Sequence, residues 1–167
     1  EESEELIPRA ILLERRRWAD NLNGKNGYAD LRDIQTGYYG SIAYLDHEIG
    51  RVLDHLDRTG LAENTAVVFL SDHGDMLGDR RLLTKGPYFY DPCTRVPFII
   101  RFPAGAEAGI PVGLRYQGLT QPNDVAATVL SLAGFTHDEL ARIMPHSMDL
   151  AAVVSGETPP RDFAICE

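Results

Sequence analysis

Between residues 30 and 58 apolar side chains recur at three- and four-residue steps: Leu31, Ile34, Tyr38, Ile42, Leu45, Ile49, Val52, Leu53 and Leu56. That spacing lays them on one stripe of a helix, and Gly60 stands where the helix is predicted to stop. Gly37, Gly40 and Gly50 interrupt the stripe at about 1 kcal/mol each against alanine, so they predict close packing against a sheet or a bend. The period then changes. Residues 66–70, AVVFL, form a continuous apolar run of the length a buried strand uses. "VPFIIRFP" at 96–103 predicts a second strand fenced by prolines, and "LRYQGLT" at 114–120 a third. Over 121–134 a helix is predicted, with Asn123 or Asp124 near its N-cap, Val125, Val129, Leu130 and Leu132 apolar, and Gly134 at its end. A shorter helix is predicted over 137–144, and "MDLAAVVSGE" follows.

Residues 1–29 are polar and poorly periodic. Their apolar patch, "LIPRAILLERRRW", reads as a surface segment with the stems of Arg15, Arg16 and Arg17 lying along it. "NLNGKNGY" reads as loop, and "AGAEAGIPVG" as a turn-rich connection. There is no internal repeat. Helix, strand, loop, strand, helix is an α/β pattern, with a mostly parallel or mixed sheet flanked by helices. In such sheets ligands gather at the carboxyl ends of strands.

Composition narrows the function classes. A chain of 167 residues, 44% hydrophobic and 25% charged, is long enough for one globular domain with a core. The net charge is −9, from 16 basic against 25 acidic residues, which argues against a nucleic-acid partner and fits a cation-binding protein. No apolar run reaches the length of a membrane span, so no membrane partner is expected. Cys93 and Cys166 have neither metal-type spacing nor a disulfide framework. Free thiols suit a reducing compartment, which slightly favours the cytoplasm, whereas a leader on a longer parent would point to the periplasm or outside. The chain opens "EESEEL" without a methionine and ends "FAICE"; it is expected to be cut from something longer.

The candidate chemistry sits at the end of the first strand, in Ser71-Asp72-His73-Gly74-Asp75. Aspartate offers a hard oxygen and histidine a nitrogen, a pair that suits Mn, Zn or Fe, and aspartate also suits Ca or Mg. Adjacent side chains point opposite ways along a continuing strand. They converge on one ion only if the strand ends there and the backbone turns, which Gly74 permits. The triplet alone reads more readily as a polar turn satisfied by its own backbone than as a metal site. Asp75 is read as bracing the turn or the surroundings of the ligands. His47 and His55 share a helix face and read as surface residues. Arg95 reads as a loop anchor, and Tyr88, Phe89 and Tyr90 as pocket lining or core packing.

Taken whole, "AVVFLSDHGDMLGDRRLLTKGPYFYDPCTRVPFIIRFP" resembles the sulfatase family of the alkaline-phosphatase-like superfamily. The shared pattern is an apolar strand, S-D-H-G-D-x-L-G, a lysine, an aromatic segment, then T-R-V-P and a second apolar strand. Lys85 follows Asp72 by thirteen residues, a spacing similar to the phosphonate monoester hydrolase and choline-sulfatase-like branch. "YYGSIAYLDHEIGRVLDHLDRTGL" upstream and "NDVAATVLSLAG" downstream extend the likeness over about 38–150, with Ala127 where the family usually has proline.

The resemblance implies a partial alkaline-phosphatase-like sandwich. Residues 1–29 would be a loop-rich N-terminal segment, 30–150 the C-terminal part of a sulfatase-like domain, and 151–167 the start of a truncated C-terminal region. It implies Asp72 and His73 as two ligands of a divalent metal (Ca, Mg, Mn or Zn), and Lys85 as the contact to a sulfate or phosphate oxygen. Tyr88 would stand beside Lys85 in substrate binding. The substrate implied is a small-molecule sulfate or phosphate/phosphonate ester. The family's nucleophile motif, C-x-P-S-R, is absent: Cys93 lies in "DPCTRVP" and Cys166 in "AICE". The expected function is therefore a fragment of a metal-dependent sulfuric ester hydrolase without its nucleophile. The alternatives are a phosphonate monoester or phosphodiester hydrolase of the same superfamily, and a non-catalytic sulfatase-like module for binding or assembly. Apolar faces left uncovered in a fragment would favour a homo-oligomer.

Overall fold

The computed structural model describes residues 7–22, 30–104 and 110–165. Most of the loop and connection expected at 21–28 and 104–113 lies outside the described residues, and Cys166 wholly so. The order is α1 (Arg9–Leu22), α2 (Leu31–Arg58), β1 (Val67–Leu70), α3 (Asp91–Thr94), β2 (Phe98–Arg101), α4 (Pro122–Leu132), α5 (His137–Ile143) and α6 (Leu150–Ser155). The α/β class expected from the sequence is observed.

The strands β1 and β2 pair in a two-stranded antiparallel sheet. Backbone bonds continue the pairing past both ends: Gly74 N–H donates to Cys93 O at 2.9 Å, and Ala104 N–H to Glu63 O at 2.8 Å. The larger parallel or mixed sheet expected from the sequence is not formed among the described residues, and 114–120 is irregular rather than a third strand. A two-stranded ladder has no inner strand, so β1 is not buried as its composition predicts: Phe69 is 41% and Leu70 37% exposed.

The chain divides into two compact units, residues 1–62 with 69–98, and residues 63–68 with 99–167. In the first, the buried core is Ile11, Met76, Leu82, Tyr88 and Cys93, with Ile7 and Tyr90 packed against it. Residues 9–22, read from sequence as part of a loop-rich segment, are instead the helix α1, and its Ile11 and Arg15 are buried. Three consecutive arginines masked a short amphipathic pattern. Asp30 caps α2 by accepting from Asp33 N–H at 3.0 Å. The helix runs unbroken for 28 residues, and a Cβ at Gly37, Gly40 or Gly50 would meet nothing within 4 Å. Among the described residues the glycines therefore mark no break in the helix and no close contact. None of α2 is buried; Ile42, Leu45 and Val52 on its apolar stripe are exposed. Among the described residues no helix is long and apolar enough to cross a membrane.

The second unit packs α4 against α5 and α6. The N-cap of α4 is Gln121, with Pro122 opening the helix, so Asp124 sits at its third position instead of the cap. The face of α4 that turns inward carries Asp124, Ala127 and Thr128, whereas Val129 is 45% exposed. Hydrogen bonds explain this. The Asp124 carboxylate, fully buried, accepts from Gln121 N–H at 2.7 Å and Met148 N–H at 2.9 Å, and pairs with Arg161. The Thr128 hydroxyl donates to Asp124 O at 2.7 Å and accepts from Leu150 N–H at 2.9 Å. A buried charge with all its partners in place is tolerated; one that loses a partner is costly. Asp124→Ala should destabilise this unit by about 3–5 kcal/mol, seen as an earlier urea midpoint for amides of α4 and α6, while an unchanged midpoint would refute the hub role.

Candidate metal and anion site

The acidic turn begins where β1 ends. The Ser71 hydroxyl donates to His73 O at 2.7 Å and folds the chain back within two residues. Gly74 N–H then ties the turn to Cys93 O. Glycine is required here, but for space and not for a left-handed dihedral: Gly74 is absent from the positive-φ positions, and a Cβ on it would overlap Pro92 O. The turn therefore lies directly against the 92–93 backbone.

Within that turn Asp72 and His73 face a common point. His73 N–H donates to Asp72 Oδ1 at 3.0 Å, and His73 Nε2 lies 3.6 Å from Asp72 Oδ2. His73 Nδ1 is 3.1 Å from Gly74 O. A carbonyl can only accept, so Nδ1 is the donor in this contact, and Nε2 is the ring nitrogen that faces the carboxylate. A ring anchored to a carbonyl through one nitrogen is the usual arrangement of a metal-binding histidine. Metal–ligand bonds of about 2.0–2.5 Å put neighbouring donors about 3–3.5 Å apart, a little less than the 3.6 Å between this oxygen and nitrogen. Among the described residues no group of three or more His, Cys, Asp or Glu side chains is placed to hold a metal. The His73 N–H bond holds the Asp72 carboxyl below its ordinary pKa, and the Lys85 ammonium acts in the same direction. The Asp72 carboxylate is anionic at neutral pH.

Lys85 is exposed on an irregular loop. That loop is held from inside. Met76 and Leu82 are buried, Leu77 N–H donates to Leu83 O at 2.7 Å, and Gly78 N–H to Leu82 O at 2.8 Å. Leu77, Arg80 and Arg81 take positive φ, strain of roughly 1–3 kcal/mol each that the surrounding packing must offset. From α2, Gln35 Nε2 donates to Leu77 O at 2.9 Å, a contact that a polar residue on a helix gave no sequence signal for. A Cβ on Gly78 would meet Leu31 Cδ2 at 2.8 Å, so α2 also closes over the loop.

Tyr88 is buried at 5% exposure, and its hydroxyl donates to Thr84 O. Burial, with help from Cys93, Glu14 and Asp75, pushes its phenol up to about 12. Cys93 is buried and burial raises its thiol pKa, the opposite of what an activated nucleophile needs. His47 and His55 are exposed on α2. Arg95 pairs with Asp91 at 3.7 Å across α3, in keeping with a local anchor. Arg80 stacks on the Tyr90 ring at 4.4 Å.

Gly74→Ala should break the turn's approach to Pro92. The expected result is loss of the Gly74–Cys93 hydrogen bond, read as faster amide exchange at residue 74 with Asp124-dependent amides unchanged; protection equal to wild type would refute the steric requirement.

The sulfatase family model matches residues 13–135. The chain is 36% identical over 127 residues to a choline-sulfatase of Rhizobium meliloti (strain 1021), covering 76% of this chain and 23% of that protein. It is 39% identical over 103 residues to an arylsulfatase of Clostridium perfringens, covering 62% of this chain and 21% of the relative. A multifunctional alkaline phosphatase superfamily protein of Trinickia caryophylli is 34% identical over 105 residues, covering 63% of this chain and 20% of its own length. The chain thus spans between a fifth and a quarter of the length of these three relatives. With a family model covering most of its length and an Asp-His turn between two paired strands, the chain belongs to the sulfatase family, within the alkaline-phosphatase-like superfamily.

Proposed function

We propose that these residues form the metal-and-lysine part of a sulfuric ester hydrolase, with the nucleophile supplied from outside this sequence. The observation that carries the reading is the approach of Asp72 Oδ2 and His73 Nε2 to 3.6 Å on one turn. Asp72 and His73 hold a divalent cation, of the Ca, Mg, Mn or Zn class. When bound, the cation supplies positive charge that offsets the anionic ester. Asp72 contributes an oxygen that is already ionised at neutral pH. His73 contributes Nε2, with its ring fixed through Nδ1–H. Lys85, on an exposed loop, places an ammonium against a non-bridging or leaving oxygen, where charge grows as the ester bond breaks. Tyr88 acts here by packing and by holding Thr84, next to Lys85, and not by touching the ester. The remaining ligands and the rest of the alkaline-phosphatase-like sandwich come from the longer polypeptide, consistent with the share of its relatives that the chain spans.

A second reading, a phosphonate monoester or phosphodiester hydrolase, is favoured by the likeness to the multifunctional alkaline phosphatase superfamily protein. A third, a non-catalytic module, is favoured by the absence of C-x-P-S-R. An activity panel on the longer polypeptide separates the three. With 4-nitrophenyl sulfate, a phosphate diester and a phosphonate monoester, the highest kcat/KM is expected on the sulfate. Lys85→Ala should lower it by about a hundredfold. Faster phosphonate turnover supports the second reading, and no turnover of any ester supports the third.

A further inference from the structure

Lys85 lies on irregular backbone, yet an anion-contacting ammonium must start from a fixed main chain. The structure supplies two tethers. Asp75 Oδ1 accepts Lys85 N–H at 2.8 Å, across ten residues of sequence. On the other side, Tyr88, buried, donates its hydroxyl to Thr84 O. Asp75 is half-buried and stands three residues beyond Asp72, on the same turn that carries the two metal-type ligands. One carboxylate therefore joins the turn of Asp72 and His73 to the backbone of the lysine. Between them the loop is closed by its own cross-bonds and by Met76 and Leu82 in the core.

We propose that Asp75 is the positioning residue for Lys85: by accepting the Lys85 amide it sets the distance between the lysine and the Asp72–His73 pair. The inference rests on the reading of Lys85 as the cation that meets the ester. It assigns Asp75 neither to the metal nor to general support of the fold. A metal role would draw its oxygen away from Lys85 N–H. A general role would act on activity whether or not the lysine is present.

Two measurements test it. In this chain, Asp75→Ala should speed amide exchange at Lys85 by about tenfold or more, while Asp75→Asn, which keeps an acceptor oxygen, should stay near wild type. The Met76 and Leu82 amides report whether the fold is intact; if Asp75→Ala does not fold, Asp75→Leu keeps the bulk without the acceptor. In the longer polypeptide, with 4-nitrophenyl sulfate, Asp75→Ala should lower kcat by about tenfold with a smaller change in KM, and Asp75→Asn should restore most of it. In a Lys85→Ala background, Asp75→Ala should cost nothing more. An equal further loss in that background overturns the positioning role, as does unchanged exchange at Lys85. If Lys85→Ala itself leaves turnover untouched, the reading of Lys85 falls and the inference with it, a result distinct from the other two.

Discussion

The site depends on a missing Cβ. Gly74 lies so close to Pro92 O that the side chain of an alanine there would overlap it. That contact, with the Gly74–Cys93 hydrogen bond, pins the turn after β1 against the segment that leads into β2. Without it the chain would continue as a strand, and Asp72 and His73 would point to opposite faces. With it, the Ser71 hydroxyl closes the turn, the His73 ring anchors on Gly74 O, and an oxygen and a nitrogen come within 3.6 Å. Two adjacent side chains approach each other because their neighbour has no side chain.

The rest of the first unit supports the loop beyond that turn. From Asp75 to Tyr88 this loop is strained at three non-glycine residues and carries an exposed lysine. Its rigidity comes from Met76 and Leu82 buried with Ile11 of α1, and from Gln35 of α2 on Leu77 O. Helices remote in sequence thus hold a lysine in place through the backbone it sits on. The second unit relies on a different device. Asp124 and Arg161 form a buried charge pair whose lone pairs and donors are taken up by Gln121 and Met148, and this polar hub gathers α4 with the segments after it.

Residue type and spacing made the core of the site legible. An apolar run ending in Asp-His-Gly, followed by a lysine, carries its own chemistry, and the resemblance to sulfatases gave those residues roles. The long period of α2 and the strands at 67–70 and 98–101 were equally readable. What sequence did not convey was environment. α1 was hidden by its arginines. The inward face of α4 was not legible, because its buried residues Asp124 and Thr128 are polar and gain their place from hydrogen bonds made far along the chain. Gly74 was read as a conformational need when it is a steric one. β1 reads as a central strand, but its single partner leaves Phe69 and Leu70 exposed. Tyr88 looked equally fit for a pocket and for a core; its burial and its bond to Thr84 O are tertiary facts.

Whether Asp72 and His73 act as one ligand pair for a divalent cation is tested most directly by a manganese titration of the isotope-labelled chain. NMR line broadening, followed residue by residue, detects even weak binding by two ligands. A shared ion predicts broadening centred on Asp72, His73 and Gly74, abolished in Asp72→Ala. Broadening centred elsewhere, or unchanged by that substitution, would contradict it.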